Sequence, residues 1–330
     1  MKEITIGKNE AGQRLDKFLG KYLDKAPKSF LYKMMRKKNI TLNGKKAAGN
    51  EPLALGDTVR FFLADDTIAK FSTGGEDVPL PDQRKLDGWK PDILYEDEHT
   101  IFMNKPVGML SQKAKKDDVS MVEYLTGHLL RSGEITKEEL ATFHPAVCNR
   151  LDRNTSGIVA AGKTLAALQE LGGMFRDRTI RKYYLCLVRG EDVQPEHIRA
   201  YLRKDHRTNR VTVTDKKTDT DSSLIETEYR PIASAGGVTL IEVHLITGKT
   251  HQIRAHLAWK GHPLAGDYKY GDRTFNDELK KQYGLSSQLL HAYRLCMPEC
   301  TGELSAISGM ELTAPVPDLF RKICCDKGVM

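Results

Sequence analysis

Apolar residues recur with a helical period near the start of the chain. The stripe at positions i, i+3, i+4 and i+7 consists of Leu15, Phe18, Leu19 and Tyr22. This spacing predicts an amphipathic helix with one buried face. Pro27 suits the first turn of a second helix. The apolar face of that second helix would consist of Leu31, Met34 and Met35.

After these helices the period becomes that of β-strands. The segment "NITLNGKK" predicts a strand that ends in a tight turn at Asn43-Gly44, and "LGDTVRFF" predicts the returning strand. We therefore expect a compact helix-helix-hairpin domain over residues 12–64. Residues 65–92 contain a Gly pair, several prolines and no sustained period, which predicts a linker.

Residues 93–330 mix helical and strand periods. Helices are predicted after the capping box of Ser120 and Glu123, around Leu171, and over "THQIRAHLAWKG". Strands are predicted over "ILYEDEHTIFMNKPVG", "GIVAAGK", "KYYLCLVRG", "IETEYRP", "VTLIEVHLI" and "QLLHAYRLCM". The order of these elements is not a regular βαβ alternation. It predicts an α+β domain with a mixed, largely antiparallel sheet.

Positive charge is concentrated in the N-terminal unit. The 330-residue chain has a net charge of +7. Residues 14–46 alone hold eleven Lys or Arg and two acids, so the rest of the chain is slightly negative. A folded unit with one cationic face indicates a polyanionic partner, most plausibly RNA or DNA. The alternative is a Lys-rich surface that is merely solvated.

Composition excludes several other classes of protein. No apolar run approaches the ~20 residues of a membrane helix, and "MKEITIGKNE" lacks the apolar region of a secretion signal. We therefore expect a cytoplasmic protein without a membrane partner. The six cysteines lack paired metal-ligand spacing, which favours reduced thiols. A zinc site on Cys296, Cys300 and His291 is the less favoured alternative, and no motif indicates a cofactor.

Three polar clusters each adjoin an apolar strand. They are "NRLDRNTSG" before "GIVAAG", the paired tyrosines of "RKYYLCL", and "TGKTHQIRAH". An aspartate among arginines, such as Asp152, is held ionised and can act as a nucleophile or a base. A capped turn and a structural ion pair are the simpler interpretations. The residues alone therefore leave a carboxylate enzyme acting on nucleic acid as one of several hypotheses.

The three clusters, in this order, resemble the motifs of the RluA-type pseudouridine synthase family of ribosomal large-subunit enzymes. "NRLDRNTSG" is similar to the family's HRLDxxTSG, and "NKPVG" resembles its upstream NKPxG. "KYYLCLVRG" and "TGKTHQIRAHLAWKGHPLAGDYKYG" are similar to its two later motifs. The basic N-terminal unit resembles the alpha-L RNA-binding motif, named after a ribosomal small-subunit protein. The likeness covers nearly the whole chain apart from the linker.

The resemblance implies a pseudouridine synthase fold and an isomerase that needs no cofactor and no metal. It implies that Asp152, Tyr184 and Arg254 are the catalytic residues. The side chains expected to contact RNA are Arg36, Lys37 and Lys38 in the N-terminal unit and Arg150, Arg153, Thr155, Lys249 and Gln252 around the site. Two positions depart from the family pattern: Asn149 replaces the usual His, and Lys249 the usual Arg.

The implied reaction converts specific uridines in structured RNA to pseudouridine. Ribosomal RNA is the favoured partner, transfer RNA is the alternative, and we expect a monomer. A catalytically silent RNA-binding or ribosome-assembly factor is the runner-up, and intact Asp152, Tyr184 and Arg254 argue against it. A glycoside hydrolase would usually need two acids flanking the bond, and the motif around Asp152 contains no second acid.

Overall fold

The protein is described from a computed structural model, which covers residues 1–72, 80–115, 117–205 and 207–330. Its α-helices are α1 (Leu15–Tyr22), α2 (Lys28–Arg36), α3 (Asp65–Phe71), α4 (Gln83–Leu86), α5 (Met121–Arg131), α6 (Leu165–Asp177), α7 (Gln252–Trp259), α8 (Arg273–Tyr283) and α9 (Asp318–Asp326). No helix in these ranges is long and apolar enough to cross a membrane.

The strands form two sheets. The strand bounds are β1 (Lys2–Thr5), β2 (Ile40–Leu42), β3 (Lys45–Lys46), β4 (Thr58–Phe61), β5 (Asp92–Glu96), β6 (Thr100–Lys105), β7 (Ala146–Val147), β8 (Ser156–Gly162), β9 (Arg181–Arg189), β10 (Glu196–Asp205), β11 (Arg210–Thr214), β12 (Ser223–Ala235), β13 (Val238–Leu245), β14 (Leu290–Cys296) and β15 (Glu311–Thr313). The first sheet is ordered β1-β4-β2-β3. The second runs β11-β10-β12-β13-β9-β14-β8-β6-β5, with β15 on β14 and β7 on β8.

The N-terminal unit forms as its pattern predicts. The apolar stripes of α1 and α2 are buried together against the first sheet. Asn43 and Gly44 both have positive φ, at 50° and 73°, which is the backbone that a two-residue hairpin turn requires. This turn joins β2 to β3, and β4 pairs with the other edge of β2.

The structure places further elements on both sides of the predicted unit. Strand β1 pairs with β4, and Ile68 of α3 is buried in the same core. Helix α3 therefore occupies the beginning of the predicted linker, although residues 73–79 of that linker lie outside the described residues. A seven-residue helix with one fully buried side chain leaves no repeating pattern to read. The domain bounds 12–64, 65–92 and 93–330 stay predictions.

The second sheet is mixed and largely antiparallel, as predicted. Among its described pairs, only β8 and β14 run parallel. Every residue of β8 is buried, because α5 and the cluster around Leu125 cover one face and α6 covers the other. A strand covered on both faces reads as a continuous apolar run, which is why "GIVAAG" shows no alternation.

The N-terminal unit contacts the second part of the chain through buried polar side chains. The hydroxyl of Thr142 donates to the Oε1 atom of Glu10 over 2.6 Å, and both residues are 6% exposed. The Nδ2 atom of Asn9 donates to Glu139 over 3.4 Å. A buried hydrogen bond to a charged carboxylate contributes about 1.5–3 kcal/mol. The two parts are therefore attached to each other as well as connected by the chain.

Candidate active site

A cleft of about 1020 Å³ lies where the three predicted clusters meet. Its walls come from residues 147–155, from β9 and from the loop that leads into α7. The register of the sheet explains the meeting. Ala292 of β14 pairs with Gly157 on one side and with Tyr184 on the other, and Tyr184 pairs with Val243 of β13. Segments far apart in sequence are thus neighbours across four strands.

The loop that carries Asp152 is fixed by its own backbone. The amide of Thr155 donates to the carbonyl of Asp152 over 3.0 Å. Ser111 accepts from the amide of Leu151 and donates to its carbonyl, at 2.9 and 3.0 Å. Gly157 follows with φ +115°, and a Cβ there would lie 2.2 Å from the carbonyl oxygen of Ala292. Strands β8 and β14 therefore approach so closely at this position that only glycine fits, which explains the last residue of "TSG".

The guanidinium of Arg254 joins two carboxylates. Its Nη1 atom donates to Oδ2 of Asp152 over 3.0 Å, while Nε and Nη2 donate to Asp267 over 2.7 and 2.9 Å. Asp267 is 1% exposed. Burial alone would raise the pKa of Asp267, but the hydrogen bonds and charge of Arg254 hold it below its ordinary value. The bidentate pair fixes the guanidinium, and the third N–H fixes Asp152.

Sequence reasoning missed Asp267. It lies in "LAGDYKYG", thirteen residues after Arg254, and one lysine two residues later is not enough to single it out. The only signal was its place within the third motif. Its carboxylate also accepts hydrogen bonds from the backbone amides of Lys269 and Tyr270, so it stabilises the loop after α7.

Tyr184 lies on β9 beside Asp152 and is 6% exposed. Burial raises the pKa of its phenol, and the negative charge of Asp152 raises it further. Its hydroxyl therefore stays protonated at neutral pH and borders the cleft that holds Asp152. An aromatic ring at this position can stack on a planar base.

The "NKPVG" segment is hydrogen-bonded to the loop that carries Asp152. Lys105 is fully buried, and its ammonium donates to the carbonyls of Pro106, Met109 and Arg153 over 3.1, 2.7 and 3.0 Å. Burial lowers its pKa to about 7, while the charge of Asp152 acts in the opposite direction. Three carbonyls from two loops converge on this one cation, so Lys105 ties the two motifs together.

Asn149, which replaces the family's usual His, has a structural partner in β8. Its Nδ2 atom donates to the carbonyl of Ile158 over 3.0 Å, and its Oδ1 atom accepts from the amide of Ala160 over 2.8 Å. The amide side chain therefore pairs with the edge of β8 as another strand would. Its role here requires one donor and one acceptor and no titrating group.

The residues around the cleft that are predicted to contact RNA fall into an exposed group and a buried group. Arg150, Arg153 and Lys249 are exposed at its rim. Thr155 and Gln252 also line the cleft, but each is 2% exposed and hydrogen-bonded inside the protein, so their contacts with RNA stay predictions. Thr155 accepts from Gln288. The Gln252 amide is saturated by internal partners, namely Thr247, the amide of Lys249, the carbonyl of Glu226, and Thr227.

On the N-terminal unit, Arg36, Lys37 and Lys38 are exposed at the end of α2. Arg36 also lines a surface pocket of about 460 Å³ together with Lys33 and Lys46. The ring of Tyr32 forms part of the same pocket. Basic side chains around an exposed aromatic ring are a combination typical of nucleic-acid surfaces.

Two groups of potential metal ligands are occupied by protein. Glu96, His128 and Glu134 lie close enough to share an ion, but the ammonium of Lys163 pairs with both glutamates. The zinc alternative fails at His291. Its Nδ1 atom hydrogen-bonds Ser156 over 2.8 Å and its Nε2 atom hydrogen-bonds the carbonyl of Ala314 over 3.2 Å, which leaves no ring nitrogen for a metal.

Sequence and fold both match those of RNA pseudouridylate synthases. The family model described as RNA pseudouridylate synthase matches residues 99–259, a range that contains Asp152, Tyr184 and Arg254. A solved structure of human RNA pseudouridylate synthase domain containing 4 superposes with a TM-score of 0.58 at 20% identity, covering 73% of this chain and 94% of that one.

Full-length relatives are more similar in sequence. Ribosomal large subunit pseudouridine synthase C of Vibrio vulnificus is 33% identical over 326 residues, covering 97% of this chain and 94% of the relative. The protein of the same name from Escherichia coli K12 is 32% identical over 335 residues, covering 99% and 96%. The chain belongs to the RNA pseudouridylate synthase family and is an isomerase that converts uridine in RNA to pseudouridine.

Proposed function

We propose that this enzyme modifies uridines in large-subunit ribosomal RNA and that Asp152 initiates the reaction. The observation that carries the proposal is the position of Asp152, which lies in an open cleft and is held by an arginine that a second, buried carboxylate fixes. The names of the relatives support ribosomal RNA as the substrate. The cytoplasm is the compartment that this substrate implies.

Isomerisation breaks the bond between the sugar and the uracil nitrogen and forms a bond from the same sugar carbon to ring carbon-5. Asp152 acts on the sugar, either by attack or by removal of a sugar proton. The uracil then turns within the cleft, and the proton on carbon-5 is released to restore the ring. No atom or electron is gained or lost overall, so the reaction needs no redox partner.

Arg254 and Tyr184 have separate roles in this scheme. Arg254 fixes the direction of the Asp152 carboxylate through its hydrogen bond to Oδ2. Tyr184 stacks on the uracil and assists the loss of the carbon-5 proton. The phenol is protonated in the resting enzyme, so it must first pass its own proton to the uracil nitrogen freed from the sugar before it can accept the proton from carbon-5.

The target uridine must leave its stack to reach Asp152, at a cost of a few kcal/mol. Arg150, Arg153 and Lys249 at the rim contact the RNA backbone around the displaced nucleotide, and Arg150 fills the space that the base vacates. Lys249 supplies a point charge and not the bidentate contact of the family's usual arginine. The basic face with Arg36, Lys37 and Lys38 binds a second segment of the same RNA.

The test uses RNA labelled with tritium at uracil carbon-5. Release of tritium from transcribed large-subunit ribosomal RNA, abolished by Asp152→Ala, is the expected result. Equal or faster release from transfer RNA would move the substrate assignment to transfer RNA. Release by the Asp152→Ala variant at the wild-type rate would remove Asp152 from its proposed role. Binding of RNA without any tritium release would instead identify a silent binding factor.

A further inference from the structure

His251 occupies an unusual backbone position beside the cleft. It precedes α7 with φ +55°, in the left-handed region that non-glycine residues seldom adopt. Such a conformation persists only where surrounding contacts impose it, and these positions concentrate at functional sites. The side chain of His251 is 9% exposed and points toward Asp152. The backbone and the ring are therefore both held in place.

The contacts of Tyr270 determine which ring nitrogen of His251 carries the proton. The amide of Val211 donates to the Tyr270 hydroxyl over 2.9 Å, and the hydroxyl lies 2.9 Å from Nδ1 of His251. Because an amide can only donate, the oxygen of Tyr270 accepts and its own proton is available for His251. Donation of this proton to Nδ1 requires the ring proton to be on Nε2.

That Nε2 atom faces the candidate catalytic carboxylate. It lies 3.8 Å from Oδ2 of Asp152, the same oxygen that accepts from Arg254 over 3.0 Å. The Oδ1 atom of Asp152 accepts no hydrogen bond from any residue in the described ranges. The two carboxylate oxygens are thus distinct: Oδ2 lies near two donors, and Oδ1 has no hydrogen-bond partner in the described ranges.

Charges of both signs surround His251. Asp152 and Asp267 favour a protonated ring, whereas Arg254 and Lys269 disfavour it. Burial has the largest effect and lowers the pKa of His251 below its ordinary value. The ring is therefore neutral at neutral pH, as the hydrogen bond from Tyr270 requires.

We propose that His251 is a positioning residue, which Tyr270 holds as the Nε2–H tautomer so that it and Arg254 restrain Oδ2 of Asp152 and leave Oδ1 to react with the sugar. The inference rests on the proposed role of Asp152. A gap of 3.8 Å is long for a hydrogen bond, but contacts of this kind tighten when substrate fills the site.

Matched substitutions test this arrangement. His251→Asn keeps an acceptor for Tyr270 and tolerates the left-handed backbone, but it has no donor that reaches Asp152. His251→Gln places an amide N–H near the position of Nε2. Tyr270→Phe keeps the ring next to Arg254 and removes only the hydroxyl. Single-turnover rates at saturating RNA and RNA dissociation constants are measured for each variant.

We expect His251→Asn to slow the single-turnover rate by about 10- to 100-fold, the range found when supporting partners of site residues are removed. The RNA dissociation constant should change less than about twofold. His251→Gln should recover part of the rate, and Tyr270→Phe should lose less than His251→Asn. Equal losses in the Asn and Gln variants, or a loss in affinity with an unchanged rate, would overturn the proposal.

A second measurement does not depend on activity. Nitrogen-15 NMR of the histidine rings distinguishes the two neutral tautomers, and the His251→Asn spectrum identifies the signal. The Nε2–H form is expected in the wild type and a mixture in Tyr270→Phe. An Nδ1–H signal in the wild type would contradict the proposal. A wild-type rate for Asp152→Asn together with an Nε2–H signal would reject the role of Asp152 and support only the hydrogen-bond network.

Discussion

The cleft and the basic face of the N-terminal unit use charge in opposite ways. In the cleft, Arg254 is 10% exposed and bound to two carboxylates. On the basic face, Arg36, Lys37 and Lys38 are exposed, and within the described residues none of them forms an ion pair. Charges that must hold one geometry are buried with partners, and charges that must meet a polyanion stay in water without them.

This contrast predicts which solution condition affects each region. Buried ionisable groups in the catalytic half have shifted pKa values, so that half should respond to pH. Exposed lysines and arginines that neutralise phosphates release counterions, so the basic face should respond to salt. Three sets of substitutions test this difference between buried, paired charges and exposed, unpaired ones, and the largest effect is expected at Asp267.

Asp267→Ala should be the most damaging of these changes. It leaves the buried guanidinium of Arg254 with Asp152 as its remaining carboxylate partner. Removal of one partner from a buried ion pair costs about 3–5 kcal/mol of the free energy of unfolding. We also expect a large loss of single-turnover rate, because Arg254 is no longer fixed. Urea titration and the tritium assay measure the two effects.

Asp272→Ala is the matched control for Asp267→Ala. Asp272 lies five residues later, caps α8 by accepting from the amide of Phe275, and pairs with the half-exposed Arg189. Loss of a helix cap costs about 1 kcal/mol, and the site is untouched. Similar losses in the free energy of unfolding of the two variants would mean that the ion pair of Arg254 and Asp267 stabilises the fold no more than a helix cap does.

His291 should make the folded protein sensitive to acid. Burial lowers its pKa to about 4, against an ordinary value of 6.5, while its hydrogen bond to Ala314 acts in the opposite direction. Below pH 6.5 the unfolded chain takes up a proton that the folded chain refuses, so this contribution to stability is complete above pH 6.5 and declines toward pH 4. The difference corresponds to about 3 kcal/mol.

The measurement compares the free energy of unfolding of wild type and His291→Gln between pH 7 and pH 4. Glutamine can accept from Ser156 and donate to Ala314 but does not titrate. His256, whose pKa burial also lowers to about 4, is present in both proteins and cancels. Parallel stability curves for the two proteins would rule out His291 as the source of acid sensitivity.

Replacing Arg36, Lys37 and Lys38 together with alanine should have the smallest effect on the reaction itself. Each lost phosphate contact lowers the slope of log affinity against log salt by about 0.7–0.9. We expect the slope to fall by about 2 to 3 and the affinity at ~0.1 M salt by about 10- to 100-fold. The single-turnover rate at saturating RNA should not change.

A triple substitution elsewhere provides the comparison. Lys280 and Lys281 of α8 and Lys322 of α9 are exposed and carry the same total charge. Their replacement with alanine should leave the salt slope nearly unchanged. Equal slopes for the two triple variants would place the RNA surface somewhere other than the end of α2.

The extent of sequence-based prediction follows the range of the interactions. Helices α1 and α2, the Asn43-Gly44 turn and the helix start at Ser120 depend on residues within one or two turns, and the structure confirms them. The reciprocal capping box does not form, because the Ser120 hydroxyl accepts from the amide of Val122 and donates to Glu123. The class of enzyme was also predictable, because the motifs are contiguous. Hairpin β10–β11 and helices α8 and α9 were missed, although the strands alternate and the helices are amphipathic.

Burial at the site could not be read from the sequence. Gln252 and Thr155 stand in polar motifs and look available to RNA, yet each is 2% exposed. Thr155 accepts from Gln288, and Gln252 donates to β12. Asp267 is an ordinary acid in the sequence and becomes the anchor of Arg254 only through the path of the chain after α7. Contacts at a separation of more than ten residues decide these cases.

The hydrogen bond between Glu10 and Thr142 has a consequence for the spacing between two RNA segments that the protein binds. The bond restrains the N-terminal unit against the second part of the chain. An RNA that binds both the cleft and the basic face, as predicted, would therefore span a fixed distance along its folded surface. Once one segment is bound, arrival of the other is intramolecular and is governed by effective concentration. A uridine at the wrong spacing gains nothing from the first contact, however well its neighbours fit the cleft.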